Sequence, residues 1–386
     1  MAHPLETFVR KHQSWLHEVI DALVSIESPT DDKAAVDRCG QEFRRRAESS
    51  GMRVRVEPRS TAGDHSVVEI GQGRPRILLV GHLDTVWPHG QIARMPLQRQ
   101  HGKLSGPGTL DMKVGVAMGL IATRAVFETA APASGSVAML VTSDEETGSG
   151  SSRELIEAEA LKSDAVLVLE PALAGGPLKT SRKGIGQYRL AVTGVSAHAG
   201  VDPGKGVSAI RELARQILAV EALHDLGRGV SVNVGVIAGG TRPNVVAEEA
   251  HAVVDVRAPS LEDAAKVDQA FRALGSQLPG ARLVVTGGFE RPPMERSAGV
   301  AALYAHAQAA AAALGQTVAE GGTGGGSDGN FTAALGVPTL DGLGAVGDGA
   351  HAIHEHVELD SLLPRTALLA ALIARLLSPE GVLPPR

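Results

Sequence analysis

An α/β chain of two domains, one inserted into the other, is the fold this sequence predicts, and three observations carry that expectation. At 386 residues the chain exceeds what one ordinary core organises. Its first third alternates apolar strand patterns with helical ones, as a mostly parallel sheet requires. Near residue 182 the alternation gives way to a run of strands that reads as antiparallel, pointing to a separate α+β domain.

Taken in order, residues 5–26 and 32–51 read as amphipathic helices. RILLVGH (76–82) is an apolar run of the kind found in buried parallel strands. MKVGVAMGLIATRAVFE (112–128) is a helix. SVAMLVTSDEE (136–146) and DAVLVLEP (164–171) repeat the plan of an apolar strand with an acidic tip. From residue 185 the order is strand IGQYRLAVTG, helix GVSAIRELARQILAVEAL, strands SVNVGVIAGG and EAHAVVDVRAP, helix LEDAAKVDQAFRALG and strand ARLVVTGG. That β-α-β-β-α-β order is the ferredoxin-like split motif. The Ala-rich helix 297–314, the loop GGTGGGSDGN, the strand VPTLDG and a last helix return to the first domain. The expected boundaries are 1–182 and 294–386 for the larger domain and 183–293 for the insertion.

Composition narrows the function classes. A net charge of -6 and 3% aromatic residues argue against a nucleic-acid partner. Arg44, Arg45 and Arg46 interleave with Glu42 and Glu48 as a solvated helix face. The single cysteine, Cys39, allows neither an intrachain disulfide nor a thiolate metal cluster. No apolar run is long enough to span a bilayer, and the amino-terminal helix is charged throughout. A cytoplasmic setting without membrane contact is the expectation.

The chemistry-bearing residues collect at the strand ends, where α/β sheets gather their ligands. His82 and Asp84 follow the first apolar strand two positions apart, and so project from the same side. Asp111 lies in GPGTLDMKVG at a helix start. Glu145 and Glu146 close the next strand, Glu170 the one after, and GDGAHAIHEHV offers His351, His354 and His356. Singly these are ordinary features of turns and strand ends. Together they carry weight, because carboxylates clustered at one sheet edge repel one another unless cations neutralise them. Imidazole and carboxylate without cysteine suit zinc, cobalt or manganese.

The motifs GHLDTVWPHG, GPGTLDMKVG, TSDEETGS, LEP, VSAHAG, GGTGGGSD and GAHAIHEHV occur in an order that resembles the co-catalytic zinc family. That family holds glutamate carboxypeptidases, aminoacylases, acetylornithine deacetylases and succinyl-diaminopimelate desuccinylases. The likeness runs from about residue 10 to 380, and the motifs look most like those of bacterial folate-cleaving glutamate carboxypeptidases. It implies a di-zinc peptidase-like catalytic domain with an inserted dimerisation (lid) domain, and two divalent ions, zinc or else cobalt or manganese. Asp111 would bridge the ions, His82 and Glu170 completing one site and Glu146 with His351 the other. Asp84 would orient His82 from behind, Glu145 would act as general base and acid, and the Asp111–Met112 peptide would be cis. His198 and Asn244 would contact substrate from the inserted domain, His198 across a homodimer. Arg257 would bind the substrate carboxylate beside the Gly-rich loop at Gly326. Arg291 is a weaker match for such a role, and Arg182 and Lys183 begin the insertion and mark its hinge.

The reaction so implied is hydrolysis of an amide bond that releases a C-terminal amino acid, glutamate, from a small N-acyl or peptidyl substrate. The alternatives are an N-acyl-amino-acid amidohydrolase, an aminopeptidase using similar metals, and a non-catalytic metal-bound dimeric binding module.

Overall fold

Alternation along the strand Arg76–His82 explains the larger unit. Ile77 and Leu79 enter one apolar cluster while Leu78 and Val80 enter another, so both faces of the strand are covered. The computed structural model describes residues 3–130, 132 and 134–384. It divides into two units: Met1–Ser181 with Arg296–Thr323 and Ser327–Arg386, and Arg182–Glu295 with Gly324–Gly326.

In the first unit the central sheet runs Arg53–Glu57, His65–Gln72, Gly135–Thr142, Arg76–His82, Ala165–Val168, Thr339–Leu340 in space. The last four are mutually parallel, and the first two join antiparallel at one side. This is the mostly parallel α/β sheet predicted. Helices Val114–Thr129 and Leu359–Leu376 pack on one face with Gln13–Ser25, and Arg153–Leu161 with Gly329–Ala334 on the other. The parallel register aligns the strand ends. His82 pairs with Thr142 and Val80 with Val168, so three strands end level and the residues after them emerge along one edge.

The second unit is an antiparallel sheet in the spatial order Ser231–Gly239, Glu249–Ala258, Gly184–Thr193, Arg282–Arg291. Helices Ala209–Glu221 and Leu261–Arg272 bury their apolar stripes against it, Ser208 and Ser260 capping their amino ends. Its core includes Tyr188 stacked on Phe271 with centroids 3.9 Å apart.

Two details differ from expectation. The helix read over 5–26 is broken into Pro4–Lys11 and Gln13–Ser25. His12 leaves helical geometry there, its Nδ1 lying 2.9 Å from the Phe8 carbonyl and its ring stacked on Phe8. The strands Arg53–Glu57 and His65–Gln72 carry no clear sequence signal, the former being an edge strand with no fully buried residue. Among the described residues no helix is long and apolar enough to cross a membrane.

Candidate metal centre

Each strand end delivers one part of a polar cluster. His82 is the last residue of its strand, Glu145 and Glu146 sit in the turn Glu145–Thr147 after Gly135–Thr142, and Glu170 comes two residues beyond Ala165–Val168. Asp111 lies in the kinked turn Thr109–Lys113, with φ -118° and ψ 92° and a cis peptide to Met112, directly before the helix Val114–Thr129. His351 arrives from a distant loop, in the left-handed region with φ 61°. That is an uncommon conformation for a residue with a Cβ, of the kind that concentrates at functional sites.

The two oxygens of Asp111 face two different imidazoles. Oδ1 is 3.2 Å from His82 Nε2, and Oδ2 is 3.3 Å from His351 Nε2. Glu170 Oε1 stands 3.6 Å from the same nitrogen of His82, while Glu146 Oε2 stands 3.0 Å from that of His351. The ligand atoms of His82, Asp111 and Glu146 lie within 4.8 Å of one another. Behind them lies fully buried Asp84, whose backbone carbonyl is 3.0 Å from His82 Nδ1 and whose carboxylate is 3.4 Å from it; that carboxylate accepts from Thr30 Oγ1 and from the amides of Glu145 and Glu146. One residue thus orients the imidazole and pins the di-glutamate turn.

The electrostatics ask for positive charge. Burial opposes ionisation of His82, but hydrogen bonds to Asp111, Asp84 and Glu170 outweigh it and hold the imidazole well above its ordinary pKa. Hydrogen bonds to Asp111 and Glu146 push His351 up to about 10. Asp111 is held below the carboxylate range, since its two histidine partners overcome the penalty of burial. The donor set fits a divalent ion. Pairs of donors 3.0–3.6 Å apart match the edges of a tetrahedron whose centre bonds N and O at about 2.0–2.2 Å. Glu146 Oε1 is also buried without a hydrogen-bond partner among the described residues, a lone pair that a cation would satisfy.

In the second unit His198 and Asn244 are exposed neighbours, joined where the Ala199 amide donates to the Asn244 carbonyl at 3.0 Å. His198 Nδ1 accepts from the amides of Gly200 and Val201, both at 3.1 Å. A neutral imidazole that accepts at Nδ1 carries its proton on Nε2. Arg257 makes a two-pronged pair with Asp255, both contacts at 2.9 Å. Gly326 is tightly enclosed: a Cβ there would meet Ile185 at 2.6 Å and Arg291 at 3.0 Å. Arg182 opens the second unit, and, buried there, it donates to the carbonyls of Gly325 and Gly326, so it is also a strut of the Gly-rich loop.

Glu355, between His354 and His356 in GDGAHAIHEHV, is a residue that its sequence context does not single out. It is fully buried, and its carboxylate accepts four hydrogen bonds, three of them from the turn that carries Asp111. The only sequence signal was its place in the GAHAIHEHV motif.

Comparison with known proteins places this architecture. The sequence pattern of Peptidase family M20/M25/M40 matches residues 78–375. Carboxypeptidase G2 of Pseudomonas sp. (strain RS-16) is 32% identical over 364 residues, 92% of this chain and 87% of that protein. Succinyl-diaminopimelate desuccinylase of Stenotrophomonas maltophilia is 30% identical over 325 residues, 80% of this chain and 85% of the relative. Among solved structures, the YXEP protein of Bacillus subtilis, described as a dinuclear metal binding peptidase, superposes with a TM-score of 0.67. It is 16% identical, with 95% of this chain and 99% of that one covered. The chain belongs to peptidase family M20/M25/M40 and is a metal-dependent hydrolase of the peptidase and amidohydrolase class.

Proposed function

We propose that this enzyme hydrolyses the amide bond preceding a C-terminal glutamate in a small N-acyl or peptidyl substrate, using two divalent ions, zinc by preference. The observation that carries the reading is Asp111, whose two oxygens face two histidines, each accompanied by its own glutamate. His82 with Glu170 would hold one ion and His351 with Glu146 the other, Asp111 being common to both. When bound, such ions supply Lewis acidity and lower the pKa of water toward about 7.

The chain's own residues do the rest. Glu145 accepts the proton of the attacking water and returns it to the departing amine, which leaves poorly without it. Its neighbour Glu146 is committed to His351, so adjacent carboxylates divide the labour of ligand and proton carrier. Asp84 holds His82 in orientation throughout. His198 offers its Nε2 proton to the oxyanion, since its Nδ1 is already occupied by two amides. Asn244 adds a polar contact, and Arg257 with the loop at Gly326 receives the substrate carboxylate. For Arg257 this means sharing its guanidinium with Asp255 or giving that partner up. The second unit then serves as lid and dimerisation domain of a homodimer.

A second reading is an N-acyl-amino-acid amidohydrolase. It draws support from the desuccinylase relative and from the prior engagement of Arg257. The deciding experiment is hydrolysis by zinc-loaded enzyme of benzoyl and acetyl derivatives of Glu, Asp, Ala and Lys, with Glu145→Gln as control. Preference for Glu, together with a loss of about 10²–10⁴ in kcat in the control and retained zinc, is expected. Preference for neutral residues selects the second reading. Full activity in the control would remove Glu145 from the mechanism.

A further inference from the structure

Glu355 occupies an unusual place for a carboxylate. It is fully buried, and no cationic side chain is bonded to it among the interactions of the described residues. Oε1 accepts from the amides of Leu110 at 2.8 Å and Asp111 at 3.1 Å. Oε2 accepts from the amide of Gly108 at 3.0 Å and from the Trp87 indole at 2.9 Å. Three of the four donors belong to one turn. Asp111 and Met112 there have non-helical angles, so the turn's first amides lack the acceptors of a regular helix. The Glu355 side chain substitutes for them.

The three segments so joined are those that carry the candidate ligands. Trp87 lies in the loop five residues beyond His82. Gly108–Asp111 holds the common carboxylate. Glu355 itself is four residues after His351, connected through two tight turns closed by Ala352 N to Gly349 O and Glu355 N to Ala352 O, both 2.8 Å. Immediately afterwards the strand His356–Glu358 pairs with Lys103–Ser105, which anchors the loop from its other end. There is little slack, since a Cβ on Gly349 would lie 2.9 Å from the Glu355 nitrogen.

Resting on the reading of Asp111 and His351 as metal ligands, we propose that Glu355 is a positioning residue. Its carboxylate clamps the Asp111 turn, the His351 loop and the loop after His82 together, and so sets the ligand spacing before any metal arrives. All four of its hydrogen bonds are to donors of the protein itself. A carboxylate has the lone pairs for four donors, whereas an amide of the same shape has one oxygen and would aim an NH2 at two of them. Glu355→Gln is therefore nearly isosteric yet breaks the clamp.

The test compares the full-length wild type and Glu355→Gln in three measurements. Zinc affinity is read by competition with a chelator. Amide exchange of the metal-free proteins is read in peptides covering 106–113, with the buried helix 114–129 as internal control. The third measurement is kcat and KM on an acyl-glutamate. Expected are zinc binding weaker by about 10–100-fold, exchange accelerated in 106–113 but not in 114–129, and a fall in kcat with KM little changed. Wild-type zinc affinity and wild-type exchange in the variant overturn the proposal. A wild-type protein that binds no zinc overturns the metal reading instead, and the exchange measurement then decides the clamp alone. Should Glu355→Gln fail to fold, Trp87→Phe removes one donor and keeps the carboxylate. Zinc binding weaker by about 2–10-fold with faster exchange in 106–113 supports the clamp, and an unchanged protein refutes it.

Discussion

Single carboxylates do very different work in this chain according to what surrounds them. Asp111 lies between two imidazoles, which hold its pKa below the carboxylate range despite burial. Glu159, at 1% exposure, draws on permanent cations instead, with Arg76 at 2.6 Å, Arg55 at 2.7 Å and Lys162 at 2.8 Å. Burial works against its ionisation, but the bonds to Lys162 and Arg76 prevail and hold its pKa below the ordinary 4.5. A carboxyl depressed in the folded state stabilises it fully above its unfolded value, and that stability is lost as pH falls through the folded value. Glu159→Gln should cost about 1–3 kcal/mol at pH 7 by urea unfolding, with the gap to wild type closing progressively below pH 4.5. A gap that stays constant with pH would show that the carboxylate's charge is not what matters there.

At the scale of elements, the helix Val114–Thr129 decides how closely its neighbours approach. A Cβ on Gly115 would lie 2.1 Å from the Leu169 carbonyl oxygen, and one on Gly119 would lie 2.7 Å from the Leu169 side chain. From the strand side, a Cβ on Gly81 would crowd Met112 and Val116, both at 3.1 Å. The start of this helix is thus pressed against the two strand ends that carry His82 and Glu170, and glycine alone permits that approach. Gly115→Ala should destabilise the unit by about 1–3 kcal/mol and displace Glu170. Thermal unfolding of the metal-free protein and zinc stoichiometry measure the two effects. A variant with wild-type midpoint and full zinc content would show that the strand end yields without consequence.

At the scale of the whole molecule, the expectation that His198 reaches across a homodimer makes a prediction that no single chain can show. Light scattering should give a mass of twice 39.9 kDa. His198→Ala and Glu145→Gln should each be nearly inactive alone, the former losing about 10²–10³ in kcat. Co-expressed, the two variants should recover about a quarter of wild-type activity, because random pairing makes half the dimers mixed and leaves one intact site in each. Absence of recovery in a verified mixed dimer would place His198 in its own chain's site.

Sequence alone determined that the central sheet is covered on both faces. The alternation Ile77-Leu78-Leu79-Val80 already specifies a strand buried on both faces, and parallel strands must end along one edge. Residues just beyond three such strands were therefore destined to meet, and the lack of any thiol among them restricted the metals they suit. Periodicity encodes burial, which is local, so it is legible; it was weakest where burial is slight, as in the edge strand Arg53–Glu57, or where one side chain breaks a helix, as His12 does. What tertiary structure decided was polar pairing at long range. Which oxygen of Asp111 faces which histidine, the strut from Arg182 to the Gly-rich loop, and the bond from Glu355 to the Asp111 amide across 244 residues have no periodic trace. Hydrogen bonds depend on distance and angle between groups the chain brings together only once folded, and these contacts become definite in no other way.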